Sequence, residues 1–308
     1  MPPATTATTT ERLISLDAFR GCVIIAMIWV NYLAGMPGIA WWLEHAGPRA
    51  DGITVPDLVF PGFLFMVGMA IPLSMQRHCG QVTPALLARL LWRSASLMLA
   101  GVVLANAYRY DAQAALLPQA MYFLLFYVAM ILLWRQGAGK RELAAGAILM
   151  LFLLATFRGT LDSEFSSTWL QPSWWGILGM IGWAYLLCSL LYLACRGSST
   201  ALMGVLALLI VLYMGGTAGS LDFLPARINA FVNVPQVLGS TAAHVLAGTL
   251  VGQLSLRGAA LTHRQRLRFM AWFALGLFAA GMLLRPYHHI NKIAATESYT
   301  LVCSALVL

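Results

Sequence analysis

His45 stands in the run Trp41-Trp42-Leu43-Glu44-His45-Ala46, just past an apolar stretch that ends near residue 39. A neutral imidazole there can take a proton from an amine or a hydroxyl near pH 7. Asn31 lies in the outer half of that apolar stretch. Its amide needs hydrogen-bond partners, which a neighbouring helix could supply. Asp17 and Arg20, in Ser15-Leu16-Asp17-Ala18-Phe19-Arg20-Gly21, are three residues apart on one helix face. Charges are costly in lipid unless paired or interfacial. The pair therefore reads either as an anchor at the inner membrane surface or as a contact for an anionic cofactor. Asp57 ends the run Asp51-Gly52-Ile53-Thr54-Val55-Pro56-Asp57 and can cap the next helix by accepting from free backbone N–H groups. Trp41 and Trp42 suit an interfacial aromatic belt. His244 falls inside an apolar stretch, where an ionisable side chain is a site candidate. Asn291 and Lys292 follow His288-His289. Adjacent histidines do not share a helix face, so this pair does not indicate a metal site. No HExxH, P-loop or nucleotide fingerprint occurs.

The elements that carry these residues follow from composition. Of 308 residues, 60% are hydrophobic and only 10% charged, with a mean hydropathy of +0.77. That is too little charge to cover a soluble domain of this length. Apolar stretches run over 19–39, 57–76, 89–108, 115–134, 142–157, 173–195, 199–215, 236–256 and 269–284. A tenth begins near Glu297 and has only twelve residues to Leu308. The sequence thus predicts an all-α polytopic membrane protein with nine or ten spans, and reads as a fragment or a form that ends early. Residues 1–12 are polar and Thr-rich and are expected to be disordered. Residues 13–308 form one transmembrane domain, with no long inserted loop. The five cysteines are scattered, without a CxxC, and read as small packing residues.

Orientation is predicted from the basic residues. With the N-terminus in the cytoplasm, 13 of the 19 Lys and Arg lie inside and 8 of the 11 acids outside. Topology therefore accounts for the formal charge of +8 without nucleic acid. His45, Asp57 and Lys292 fall at the outer face. The expected partners are membrane lipids and a small-molecule substrate, and the reading allows, without requiring, a homodimer.

The run from Arg12 to Ser74 resembles the start of the heparan-alpha-glucosaminide N-acetyltransferase family and its bacterial relatives. The shared elements are SLDAFRG, the Asn at the end of the first span, the Trp-rich turn into His-Ala, DGIT, and DLVFPGFLFMVG. Two later pieces are also similar: Ser173-Trp174-Trp175-Gly176-Ile177-Leu178-Gly179 through Tyr185, and Asn291-Lys292 followed by Thr296, Ser298 and Tyr299. The resemblance implies transfer of acetyl from cytoplasmic acetyl-CoA to an amino sugar, glucosamine-like, beyond the membrane. It implies a bacterial inner-membrane location with the His45 loop in the periplasm, and no metal. His45 and Asn31 match the family's catalytic pair. Asp17 and Arg20 then serve the donor, while Trp41, Trp42, Asp57, Asn291 and Lys292 serve the acceptor. His45 would act as general base or as acetyl carrier. Two rivals stand beside this reading: a membrane O-acyltransferase of cell-envelope sugars, and a small-solute transporter with His244 on its path.

Overall fold

The protein is described from a computed structural model, which covers residues 14–79, 81–135, 137–160, 169–172, 174–256 and 261–308. The tail expected over residues 1–12 lies outside the described residues. The described chain is helical, with a lone bridge between Tyr110 and Gly159. In order the helices are α1 Ile14–Leu33, α2 Val59–Met75, α3 Pro84–Ala105, α4 Gln119–Trp134, α5 Lys140–Thr156, α6 Gly176–Ala194, α7 Ser199–Thr217, α8 Ala226–Phe231, α9 Ala242–Leu256, α10 His263–His288 and α11 Glu297–Val307.

Each apolar stretch expected to span is helical. Among the described residues, seven helical segments are at least 18 residues long and apolar enough to cross a bilayer, while α4 and α11 are shorter apolar helices. At 1.5 Å per residue, the 16 residues of α4 rise only about 24 Å against a hydrocarbon core of ~30 Å. The protein is a polytopic helical membrane protein.

The chain forms two compact units. The larger comprises residues 1–94, 181–225 and 233–308; the smaller comprises 95–180 and 226–232. The smaller is built on aromatic packing, with Tyr122 against Tyr110 at 5.0 Å and Phe157 against both rings. Its buried Arg109 donates to Asn106 Oδ1 and to the Thr160 carbonyl, both at 3.0 Å. Burying a cation is costly unless it is hydrogen-bonded, and these two bonds meet part of that need.

The larger unit carries the residues of interest, and α9 is its centre. The span Val234–Leu254, a π-helical turn over Val234–Thr241 running into α9, is mostly buried. Within the turn, Ser240 and Thr241 hydroxyls both donate to the Gln236 carbonyl, at 3.1 and 2.9 Å. Helix α9 packs directly on α2. A Cβ at Gly248 or Gly252 would strike the carbonyls of Phe65 and Met69, and one at Gly68 would strike that of Val245. Small residues on both helices thus bring the two backbones together, as in membrane helix pairs generally. Thr249 Oγ1, 2.9 Å from the Val245 carbonyl and 3.2 Å from that of Gly68, adds a polar contact at this seam. Buried His244, near the start of α9, meets Ser304 of α11 at 2.9 Å through Nδ1. That bond makes it a link between two packed helices.

Candidate active site

Asp57 organises one set of helix ends in the larger unit. It sits in a short 3₁₀ turn, Val55–Leu58, that leads into α2. Thr54 and Asp57 form a capping box: Thr54 N–H donates to Oδ2 at 3.1 Å and the Thr54 hydroxyl lies 2.9 Å from the same oxygen. The Ala46 N–H donates to Oδ2 as well, at 3.1 Å. Oδ1 receives two different groups. His45 Nδ1 lies 2.9 Å away and Lys292 Nζ also 2.9 Å. The Asp57 side chain has no exposed surface, whereas His45 is 41% exposed.

The tautomer of His45 follows from this geometry. A carboxylate that receives an ammonium and two backbone N–H groups is an anion and an acceptor. Nδ1 must then donate, which leaves Nε2 of the neutral ring with its lone pair. An imidazole fixed by a carboxylate in this tautomer is the arrangement that a general base or a nucleophilic histidine requires.

A second set of bonds ties the 45–57 loop to residues 285–299. Helix α10 ends at His288, and His289 adopts φ 59°, in the left-handed region, to reverse the chain. Ile290 N–H then donates to Asp51 Oδ1 at 2.8 Å, and Gly52 N–H to the Ile290 carbonyl at 2.9 Å. Arg285 Nε meets both Asp51 carboxylate oxygens at 3.1 Å. The Ile290 N–H above all, with Arg285 and His289 beside it, holds the Asp51 carboxyl below its ordinary range. The Asn291 amide donates to the carbonyls of Pro48 and Ala50, at 2.6 and 3.3 Å. The Tyr299 hydroxyl donates to the Asp57 carbonyl at 2.8 Å. Gln236, from the π-turn, holds the Ile293 carbonyl at 2.9 Å, and the Tyr213 hydroxyl holds that of Ala294 at 3.0 Å. Lys292 is thereby delivered to Asp57 by a braced loop.

The structure therefore joins His45, Asp57, Asn291 and Lys292. Asp57 is enclosed, whereas Asn291 is half-buried, and both make hydrogen bonds that hold the loop together. Asn31 is exposed near the C-terminal end of α1 and makes no side-chain hydrogen bond among the described residues. Trp41 and Trp42 are exposed at 76% and 47% in a short 3₁₀ turn that leads to His45. Asp17 and Arg20 form an exposed pair at 3.5 Å, at the start of α1. Near that start, at the opposite helix ends from His45, lies a cavity of about 390 Å³. Phe19, Met69, Leu254, His263, Arg266 and Val307 are among the residues lining it, and its wall is mainly apolar. Sequence reasoning missed Thr54, Asp51, Arg285 and Tyr299 as parts of the site. Only Thr54-x-x-Asp57 had a local signal, the spacing of a capping box.

Fold and site together define a polytopic helical membrane protein with a carboxylate-held histidine at one end of its helices. The chain belongs to the family described as Domain of unknown function (DUF5009), which matches residues 12–224. It is also similar to two curated proteins named heparan-alpha-glucosaminide N-acetyltransferase. The Mus musculus protein is 39% identical over 108 residues, 34% of this chain and 15% of that protein. The Homo sapiens protein is 42% identical over 99 residues, 31% of this chain and 14% of that protein. The matched stretch thus spans about a seventh of the length of these relatives.

Proposed function

We propose that this protein is a membrane acetyltransferase that moves acetyl from acetyl-CoA to the amine of an amino sugar. The observation that carries this reading is the bond from His45 Nδ1 to the enclosed carboxylate of Asp57, which leaves Nε2 free to take a proton. The names of the two relatives support the reaction class.

In this reading the donor enters at the helix ends around Arg20, His263 and Arg266, taken as the cytoplasmic side. Basic side chains suit its phosphates, and an apolar cavity suits the thin pantetheine arm. The acceptor reaches the opposite side, where Trp41 and Trp42 offer flat faces to a sugar ring. His45 Nε2 removes the amine proton as nitrogen attacks the thioester carbonyl. The alternative route, with Nε2 itself taking the acetyl group, uses the same tautomer. Exposed Asn31 has its amide free to donate to the developing oxyanion. His45, Asp57 and Lys292 then lie on the outer face of a bacterial inner membrane.

The test is transfer of labelled acetyl to glucosamine by purified protein, with acetyl-CoA binding measured in parallel. His45→Ala should abolish transfer and retain donor binding, since a general base is typically worth ~10²–10⁴ in rate. Asn31→Ala should cost about 10²–10³ with unchanged thermal stability. Near-normal transfer by His45→Ala would overturn the reading. Absence of transfer with the unaltered chain, together with solute uptake into vesicles, would favour a transporter.

A further inference from the structure

The outer end of the larger unit holds a second histidine–carboxylate pair, built differently from the first. His288 Nδ1 lies 2.8 Å from Glu297 Oε1. The Glu297 side chain has no exposed surface, and His288 is 34% exposed. Up to this point the pair copies His45 and Asp57, where the carboxylate is likewise enclosed and the ring partly open. The other carboxylate oxygen differs. Asp57 Oδ2 receives Ala46 N–H, Thr54 N–H and the Thr54 hydroxyl. Glu297 Oε2 is buried and has no hydrogen-bond partner among the described residues.

The nearby cations are also distributed unequally. Lys292 is spent on Asp57, and Arg285 and His289 on Asp51. From α7, Tyr213 presents its ring edge-on to His288 at 6.2 Å, and its hydroxyl is committed to the Ala294 carbonyl. His288 is therefore the ion-pair partner that the structure provides for Glu297. A bare, enclosed carboxylate anion beside a neutral ring would bear a large desolvation cost. One proton shared between His288 and Glu297, whether on the ring or on the carboxyl, removes that cost. Asp57 has Lys292 for the same purpose, so its charge is balanced without a proton from His45.

We infer that the His288–Glu297 pair rests with one bound proton and supplies it to the leaving thiolate, while His45 acts as the base. Two carboxylate–histidine pairs whose surroundings favour opposite proton occupancies are suited to opposite roles in one reaction. The inference rests on the acetyl-transfer reading above. The proton and electron balance is complete. The acceptor nitrogen bonds to the thioester carbon, and its proton passes to His45 Nε2. The C–S bond breaks and its electron pair stays on sulfur. The thiolate then takes the proton of the His288–Glu297 pair. Solvent removes the proton from His45 and returns one to the pair. The two pairs share one braced junction: Ile290, two residues past His288, bonds to Asp51 and Gly52, and Tyr299, two past Glu297, bonds to Asp57.

The experiment is the pH dependence of kcat and KM for transfer from acetyl-CoA to glucosamine, in the unaltered protein, Glu297→Gln and His288→Gln. The expected result is a fall in kcat of about 10²–10⁴ in both variants. Acceptor KM should be unchanged, and the alkaline decline of kcat seen in the unaltered protein should vanish. A folded variant that retains both near-normal kcat and the alkaline decline overturns the inference. If the unaltered protein transfers no acetyl, the underlying reading fails instead. Histidine ¹⁵N NMR of the unaltered protein reads the pair without any variant. A neutral His288 beside an ionised Glu297 throughout the active pH range overturns the inference, whatever the variants do.

Discussion

His45 and Lys292 meet on a single oxygen, each 2.9 Å from Oδ1 of Asp57, although 247 positions separate them in the sequence. Lys292 neutralises the carboxylate, and the carboxylate orients the ring. The three residues act as one unit, in which the loss of one changes the protonation of the others.

Removing the cation should be costly. Lys292→Met leaves an enclosed anion with no ammonium, and breaking such a pair typically costs ~3–5 kcal/mol. Lys292 is 24% exposed, which places the expected loss at the lower end, about 3 kcal/mol. The double variant Lys292→Met, Asp57→Asn should recover part of it, because the uncompensated charge is gone. Thermal unfolding of the four proteins in detergent gives the cycle, and simple additivity would contradict the shared-oxygen arrangement.

Asp57→Asn alone tests the tautomer. An amide can turn its NH₂ toward Nδ1, which moves the ring proton to Nε2 and blocks the base. Transfer should fall by roughly 10²–10⁴, while acetyl-CoA still binds. Unimpaired transfer in a folded Asp57→Asn protein would mean that the carboxylate does not set the ring.

Two glycines predict opposite outcomes. At Gly248 a side chain meets the backbone carbonyl of Phe65, so Gly248→Val must push α9 from α2 and should destabilise by about 1–3 kcal/mol or more. Gly204, within α7, has open space where its Cβ would lie. Gly204→Ala should therefore stabilise by about 0.5–1 kcal/mol, through helix propensity alone. Melting temperatures in one detergent decide both.

Asp51 gives the junction with residues 285–299 a pH dependence with a definite sign. Its carboxyl is held below the ordinary value of 3.8, first by the Ile290 N–H and then by Arg285 and His289. A depressed carboxyl contributes stability above its unfolded value, and the contribution is lost as pH falls through the folded value. The junction should thus be fully clamped at neutral pH and loosen only in strong acid. Asp51→Asn should cost about 1 kcal/mol at neutral pH, since the Arg285 pair is open to solvent. It should also flatten the acid dependence. Unfolding measured from pH 7 down to about 3 checks both.

Helices were legible in the sequence wherever an apolar run exceeded the needs of a soluble core. The stretches at 199–215 and 236–256 fall close to α7 and to the π-turn with α9. Helix α4 begins at Gln119 rather than 115, because Pro118 holds an extended conformation at its N-cap. The six-residue α8 carries too little periodicity to be seen. His45 was legible from its motif, and Asp57 from its capping position. The bonds to Lys292, Ile290 and Tyr299 were not, because nothing local marks a pairing across 235 to 242 positions. In the sequence Glu297 reads only as the start of an apolar stretch. Its burial depends on what α10 and α7 place around it, which one strand of sequence does not encode.

The long-range ties at the His45 loop impose an order on biosynthesis. His45 emerges early, but Lys292 and Tyr299 reach Asp57 only some 240 residues later. At 5–20 residues per second, the ribosome leaves that loop without its clamp for roughly 10–50 s. During that interval His45 has Asp57 beside it, but neither the ammonium nor the brace through Asp51 and Ile290. A nascent chain arrested before residue 292 would insert most of its helices and still lack an assembled junction. Reactivity at this site is thus deferred until nearly the whole described chain has been threaded into the bilayer.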